Sequence, residues 1–309
     1  MLFRSENRIP VLVRQPQLSR HPVGAGRACQ KEEEEARPAL ITMSRPDWHL
    51  EDLWLKLVAL WPGITIEWLP EIDSTNSELM RRAREGQADP VLLVAEQQTA
   101  GRGRMGRSWV TPEGSALTFS LGLPLKPAHW SGLSLAVGVT LIEALDPEGR
   151  LGLGLKWPND LWHWPSSSGP AKLGGILIET LQVPGTAEGR YAVVGVGINL
   201  ITPDTDTGAI PPIGLDHWDA VSSVGTVLAA VAPGLLQTLA AFEQRGPSAW
   251  LARFDRLDLL RGRTLHTSQG VQGLGAGIDE EGALLLQTKT GQVRVDSSEV
   301  SVRPLKLEP

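Results

Sequence analysis

Four short segments place polar, charged and glycine residues where a plain core strand has no use for them. They are "DSTN" at 73–76, "QQTAGRGRMGRSW" at 97–109, "KWPNDL" at 156–161 followed by "KLGGILIE" at 172–179, and "GVGIN" at 195–199. The second interleaves Arg102, Arg104 and Arg107 with Gly101, Gly103 and Gly106. Glycines let a backbone approach a ligand closely, and arginine's planar fork matches carboxylate and phosphate oxygens. The loop lacks the lysine-serine/threonine ending of a P-loop, so a triphosphate gripped in the usual way is not indicated. Taken alone it reads as a solvated basic turn or a nucleic-acid arm. In the same spirit Asp73 to Asn76 read as a cap for the next helix. Trp157 to Asp160 read as a strand-ending turn, and Gly195 and Gly197 as packing positions.

In this order and at these spacings the four segments closely resemble the biotin protein ligase family, over roughly residues 48–305. Lipoate ligases share a similar module but lack this combination. The resemblance implies an enzyme that joins biotin's carboxylate to the α-phosphate of ATP, releasing pyrophosphate. A lysine on the biotin carboxyl carrier protein of acetyl-CoA carboxylase then attacks the biotinyl-5′-adenylate, giving an amide and AMP. By resemblance Ser74, Thr75, Asn76 and Gln98 surround biotin together with Arg102, Gly103 and Arg104, and Lys172 meets the carboxylate and the phosphate that replaces it. Lys156, Asn159 and Asp160 sit near the adenylate, and Arg107, Trp109, Gly197 and Asn199 fall with Asn159 on the nucleotide side. Lys172, Arg104 and Asp160 form the implied catalytic set.

These residue types suit the task. Two anions must meet, so cations have to neutralise both, through charge-assisted bonds worth about 1.5–3 kcal/mol each. Biotin's ureido ring needs its donors and acceptor paired when buried, which hydroxyls and amides can do. Asp160 serves as general base or as orienting anion for an acceptor amine that, at a pKa of about 10.4, is almost wholly protonated at neutral pH. Mg2+ is implied as the companion of ATP, with no protein carboxylate cage visible for it. A biotin-binding protein without turnover is the alternative, which the phosphate-facing cations disfavour. Some family members carry a winged helix-turn-helix and repress transcription. The residues ahead of Trp48 are too few and too proline-broken for that domain, so specific DNA binding is not expected.

Elements must hold these segments in place. Leu50, Leu53, Trp54, Leu57, Val58 and Trp61 recur at helical spacing before Pro62-Gly63. "ITIEWL" reads as a strand, "DSTNSELMRRAREG" as a capped helix, "VLLVAEQQ" and "SALTFSLGL" as strands, and 131–145 as an apolar helix. "LGLKWPND", "LGGILIETL" and "YAVVGVGINL" read as central strands broken by turns. The Pro/Gly/Asp-rich loop 200–217 is long enough to be a functional cover. By resemblance it lies on the adenine side. Val224, Leu228, Val231, Leu235, Leu239 and Phe242 make one helical stripe, expected to be kinked or interrupted at Pro233. Short glycine-separated strands close the chain. The expected class is α/β (α+β): a mixed-sheet catalytic domain of the biotin/lipoate ligase type over 46–262 and a small SH3-like β-barrel over 263–309. A disordered tail over 1–45 precedes them.

Bulk composition sets the outer bounds. The chain has 309 residues and a net charge of −6, which makes it a poor general binder of nucleic acid and sets off the basic loop. Its single cysteine, Cys29, excludes a disulfide framework and suggests the cytoplasm. The six histidines have no metal-ligand spacing, and no apolar run is expected to span a membrane. Of the eleven tryptophans, Trp157, Trp162 and Trp164 cluster beside "KWPND", where core packing is favoured over lining a pocket. The tail has Pro10, Pro16, Pro22 and Pro38 and an arginine-rich start. That start faintly resembles a transit peptide, with Met43 as an alternative first residue. A monomer and a homodimer are both compatible with the sequence.

Overall fold

The computed structural model describes residues 50–110, 112–165, 169–182, 189–204, 210–218, 223–296 and 302–304. The tail over 1–45 lies outside them. In chain order the elements are α1 (Leu50–Leu60), β1 (Thr65–Ile72), α2 (Thr75–Arg84), β2 (Val91–Gln98), β3 (Ala116–Leu125), α3 (Leu133–Leu145), β4 (Leu153–Lys156), β5 (Asp160–His163), β6 (Ala171–Leu181), β7 (Arg190–Asn199), α4 (Val224–Arg245) and α5 (Ser248–Leu257). Then follow β8 (Thr264–Thr267), β9 (Gln272–Ile278), β10 (Leu284–Thr288), β11 (Gly291–Val295) and β12 (Val302–Pro304).

β1 to β7 form one mixed sheet in the order β1-β2-β3-β7-β6-β5-β4, with β1 and β2 parallel and the other pairs antiparallel. Helices cover both faces. Leu79, Met80 and Ala83 of α2 pack with Val91, Leu93, Tyr191 and Val193. The alternate residues Leu92, Val94, Ala192 and Val194 join the core that α1, α3 and α4 complete through residues such as Leu57, Val139 and Leu235. Burial on both sides is why these strands read as apolar runs without alternation.

Pro233 lies inside α4, which runs unbroken for 22 residues, so the expected interruption does not occur. The missing amide costs about 3 kcal/mol. Ten residues of α4 are buried, among them Val231, Leu235, Leu239 and Phe242, and their packing outweighs that loss. One helix bears on the membrane expectation by length and composition, without overturning it. Among the described residues α4 is long and apolar enough to cross a bilayer, with a mean hydropathy of 1.6, although half of that stretch is buried inside the protein. Two elements were not anticipated. β5 begins within the "KWPND" turn, and α5 follows α4 directly.

The five remaining strands form a separate antiparallel sheet in the order β11-β10-β9-β8-β12. Its β9–β10 turn docks on the first unit. Trp157 Nε1 donates to the Gly282 carbonyl at 3.0 Å and Ser131 Oγ to that of Glu281 at 2.7 Å. Trp157 is fully buried, so within "KWPND" it serves packing and does not line the cleft.

Candidate functional site

Strand register builds a floor on the face that α2 covers. One row across the sheet runs Leu93–Ser120–Gly195–Leu177. The next runs Ala95–Thr118–Gly197–Gly175–Asp160–Lys156. Residues paired across strands point to the same side, so glycines at 195, 197 and 175 leave the middle of the floor bare. A cleft of about 860 Å³, counting its open mouth, lies over it. Ser74, Thr75, Asn76, Gln98, Arg102, Gly103, Arg104, Arg107, Trp109, Asn159, Asp160, Lys172 and Gly197 all line this cleft. Asn199 does not. Nor do Trp157, Trp162 and Trp164, in keeping with core packing.

The N-terminus of α2 forms one wall. Ser74 caps the helix by accepting from the Ser77 amide, so the capping reading of this segment is a structural fact. Ser120 Oγ lies 2.6 Å from Asn76 Oδ1 and 2.7 Å from Thr75 Oγ1. Asn76 Oδ1 can only accept, so the Ser120 proton goes there. Asn76 Nδ2 donates to the Leu177 carbonyl at 3.1 Å and to Glu179 Oε2 at 3.0 Å. The Asn76 side chain therefore ties α2 to β3 and β6. Gln98 Oε1 accepts from the Thr75 amide at 2.8 Å. A Cβ at Gly195 would overlap Asn76 Oδ1. Gly195→Ala should accordingly cost about 1–3 kcal/mol by overpacking, read as a drop in unfolding midpoint. An unchanged midpoint would show that Asn76 moves freely.

The arginine loop folds as a small hairpin over the other side. Its feet are pinned by the Thr99 amide to the Ile72 carbonyl and the Ala100 amide to that of Asp73, both at 2.9 Å. Higher up, the Gly103 amide donates to the Arg107 carbonyl at 2.7 Å and the Trp109 amide to that of Gly101 at 2.8 Å. Met105 turns the tip with φ 56°. Trp109 lies on the bare floor, since a Cβ at Gly197 would come within 2.6 Å of its ring. Both glycines of "GVGIN" thus have packing roles as well as floor roles.

Charge gathers at the far end of the second row. Asp160 Oδ1 is 2.7 Å from Lys172 Nζ, and Oδ2 is 3.4 Å from Lys156 Nζ. Burial alone would raise the Asp160 pKa, but the two ammonium groups overcome it and hold the carboxyl below its usual range. Burial pulls the Lys156 ammonium down, Asp160 opposes that and Lys172 adds to it. Lys172 also stands 5.8 Å from the Trp109 ring centroid. Arg104 donates to Asn159 Oδ1 at 3.2 Å, with burial drawing its pKa down. Asn159 Nδ2 in turn donates to the Ile176 carbonyl at 2.8 Å. Arg104, Lys156 and Lys172 around one carboxylate make this end of the cleft an anion site.

Loop 200–217, where described, braces Lys172 from behind. The Lys172 amide donates to the Pro211 carbonyl at 2.8 Å and its own carbonyl accepts from Ile213 at 2.9 Å. Asn199 Nδ2 donates to the Ile213 carbonyl at 3.2 Å, so its amide holds this brace. No group of three or more His, Cys, Asp or Glu side chains that could cage a metal occurs among the described residues. Asp160 on the cleft wall and the neighbouring Glu179 are already paired with cations. A magnesium ion would therefore arrive on a triphosphate if the described residues alone had to hold it. Ser120 escaped the sequence reading, and Gly175 and Glu179 fell within "KLGGILIE" without being given a role there.

Comparison with known proteins agrees with this geometry. Residues 68–199 match the biotin/lipoate A/B protein ligase family and residues 264–303 the biotin protein ligase C-terminal domain. The chain is 34% identical over 236 residues to the bifunctional ligase/repressor BirA of Escherichia coli (strain K12), covering 73% of this chain and 70% of that protein. It is 34% identical over 254 residues to the biotin--[acetyl-CoA-carboxylase] ligase of Paracoccus denitrificans, covering 75% and 98%. The biotin protein ligase from Aquifex aeolicus, solved in complex with biotin and ATP, superposes with a TM-score of 0.64 at 26% identity, covering 79% of this chain and all of that one.

Proposed function

Because the chain belongs to the biotin protein ligase family, we propose that its cleft activates biotin with ATP and passes the biotinyl group to a lysine of a biotin carboxyl carrier protein, that of acetyl-CoA carboxylase. A biotin carboxylate oxygen attacks the α-phosphorus, and the bond to the pyrophosphate leaving group breaks. The acceptor amine then attacks the acyl carbon, AMP departs with the bond electrons, and the amine loses its proton. The observation that supports this most directly is the second sheet row. It sets Asp160 beside a glycine floor with Lys172 and Lys156 on its two oxygens, facing Arg104.

Lys172 and Arg104 supply positive charge where carboxylate and phosphate meet, the condition for stabilising charge that develops in the first step. Asp160, its proton affinity lowered by two ammonium groups, acts as an orienting anion in preference to a base. It holds the Lys172 ammonium aimed into the cleft by the 2.7 Å ion pair. Thr75 and Gln98 belong to the biotin end, with Ser74 and Asn76 shaping it. Arg107 and Trp109 lie toward the nucleotide. Asn159 acts through Arg104, and Asn199 through the segment behind Lys172. Magnesium would come with ATP, and none of these roles depends on its position. We place the reaction in the cytoplasm and without a repressor function, supported by the single cysteine and the net charge of −6. Specific, tight binding of an operator-like duplex would overturn the latter.

The direct test is biotin-dependent exchange of label between pyrophosphate and ATP, followed by transfer to an isolated carrier domain. Exchange and transfer are expected with biotin and not with lipoate or octanoate. Folded protein without exchange would favour a binding module that has lost turnover.

A further inference from the structure

Glu179 stands on β6, four residues beyond Gly175 and so about 13 Å along the strand from the Asp160–Lys172 pair. That is too far to touch a reacting phosphate. It is nonetheless an acid within an apolar strand, with a side chain only 22% exposed. Arg102 Nη2 lies 3.0 Å from Glu179 Oε1, and Arg102 Nη1 lies 3.4 Å from Oε2 and 3.3 Å from Ser77 Oγ. Asn76 Nδ2 donates to the same Oε2 at 3.0 Å. One carboxylate thus joins three elements: β6, the start of α2, and the arginine hairpin. The hairpin's feet are held by main-chain bonds at Thr99 and Ala100, but its upper part crosses the cleft through side chains, Arg102 to Glu179 on one side and Arg104 to Asn159 on the other.

We propose that Glu179 is the latch of the arginine hairpin, a positioning residue that holds Arg102 and so keeps the hairpin folded over the acid-binding end of the cleft. This rests on the function proposed above. In that setting the latch retains the reactive acyl-adenylate until an acceptor lysine arrives. Arg102 is then a structural tie, and the charge facing the reacting phosphate falls to Arg104 and Lys172. Glutamine at 179 keeps the volume but lacks the charge, and one carbonyl oxygen cannot replace two carboxylate oxygens serving Arg102 and Asn76.

Glu179→Gln, Arg102→Gln and the double variant test this in two ways. Tryptic cleavage at Arg104–Met105, on the exposed hairpin tip, should speed up roughly fivefold in each single variant, the scale of one partly exposed ion pair. The double variant should add little further, because both changes break the same tie. Escape of preformed adenylate and KM for biotin should rise by a similar factor in Glu179→Gln, with kcat at saturating biotin within about twofold. Unchanged cleavage and escape in folded Glu179→Gln, or fully additive effects in the double variant, would overturn the latch. Should Glu179→Gln fail to fold, the Arg102→Gln cleavage rate decides. Wild-type protein without biotin-dependent exchange would overturn the ligase reading, while the cleavage series would still judge the latch.

Discussion

Lys172→Ala should slow adenylate formation by about 10²–10³-fold, the usual loss when one preorganised donor to a developing charge is removed. The Lys172 ammonium stands 2.7 Å from Asp160 and on the cleft wall beside Arg104. Among the described residues, the other cations at this end of the cleft are otherwise engaged. Lys156 is held at the other carboxylate oxygen and is buried, and Arg104 is engaged with Asn159. The effect on folding should be small by comparison. The Lys172 side chain is a third exposed, and its removal still leaves Asp160 facing Lys156. Single-turnover formation of biotinyl-adenylate, measured beside a thermal unfolding curve, separates the two effects. A normal rate in the variant would remove Lys172 from the mechanism, and a collapsed unfolding midpoint would make its role structural.

Asp160→Ala should have the largest effect on stability, about 3–5 kcal/mol at neutral pH, because it leaves a buried ammonium without its counter-charge. Lys156 is only 6% exposed, and Asp160 is the carboxylate at its ammonium. The pH dependence carries the sign. Asp160 has a folded pKa below its unfolded value of about 3.9, so its stabilisation is present above that value and is lost as pH falls through the folded pKa. The gap between wild type and variant should therefore narrow under strongly acidic conditions. Lys156 has a lowered folded pKa as well, so its unfolded form binds more protons and stability rises with pH. In the variant that slope should steepen, and the gap should narrow again as pH climbs toward the ordinary lysine value of about 10.4. Urea midpoints across the pH range test both arms. A double variant, Asp160→Ala with Lys156→Met, should recover much of the loss, since it removes the stranded charge. Equal loss in the single and double variants would place the cost in lost packing instead.

Much of the site was legible because its parts are local. A glycine-arginine loop, a serine-threonine-asparagine helix start, and a lysine beside two glycines are each confined to a few residues, and their order along the chain points to the family. Boundaries of helices and strands followed from apolar spacing for the same reason. α2 and β2 show this well, one set by its cap and the other by a run of buried aliphatics. Proline at 233 suggested a kink or break because its local cost is visible in sequence, whereas the burial that keeps α4 continuous comes from distant partners on α3, α1 and β3.

Residue chemistry, charge imbalance and the ordered motifs were set by the chain itself, since side-chain type and near-neighbour spacing need no fold to be read. Which side chains spend their hydrogen bonds on each other was decided only when the strands aligned. Ser120, Gly195 and Leu177 are distant in sequence and adjacent in one sheet row, and only that register places an asparagine amide against a bare glycine. Asn76 and Asn199 look like ligand contacts in one dimension, and in three their amides also tie neighbouring elements together. Asp160 reads as base or orienting anion in sequence, and only the fold brings two lysines, four residues before it and twelve after, onto its oxygens to hold its proton affinity down.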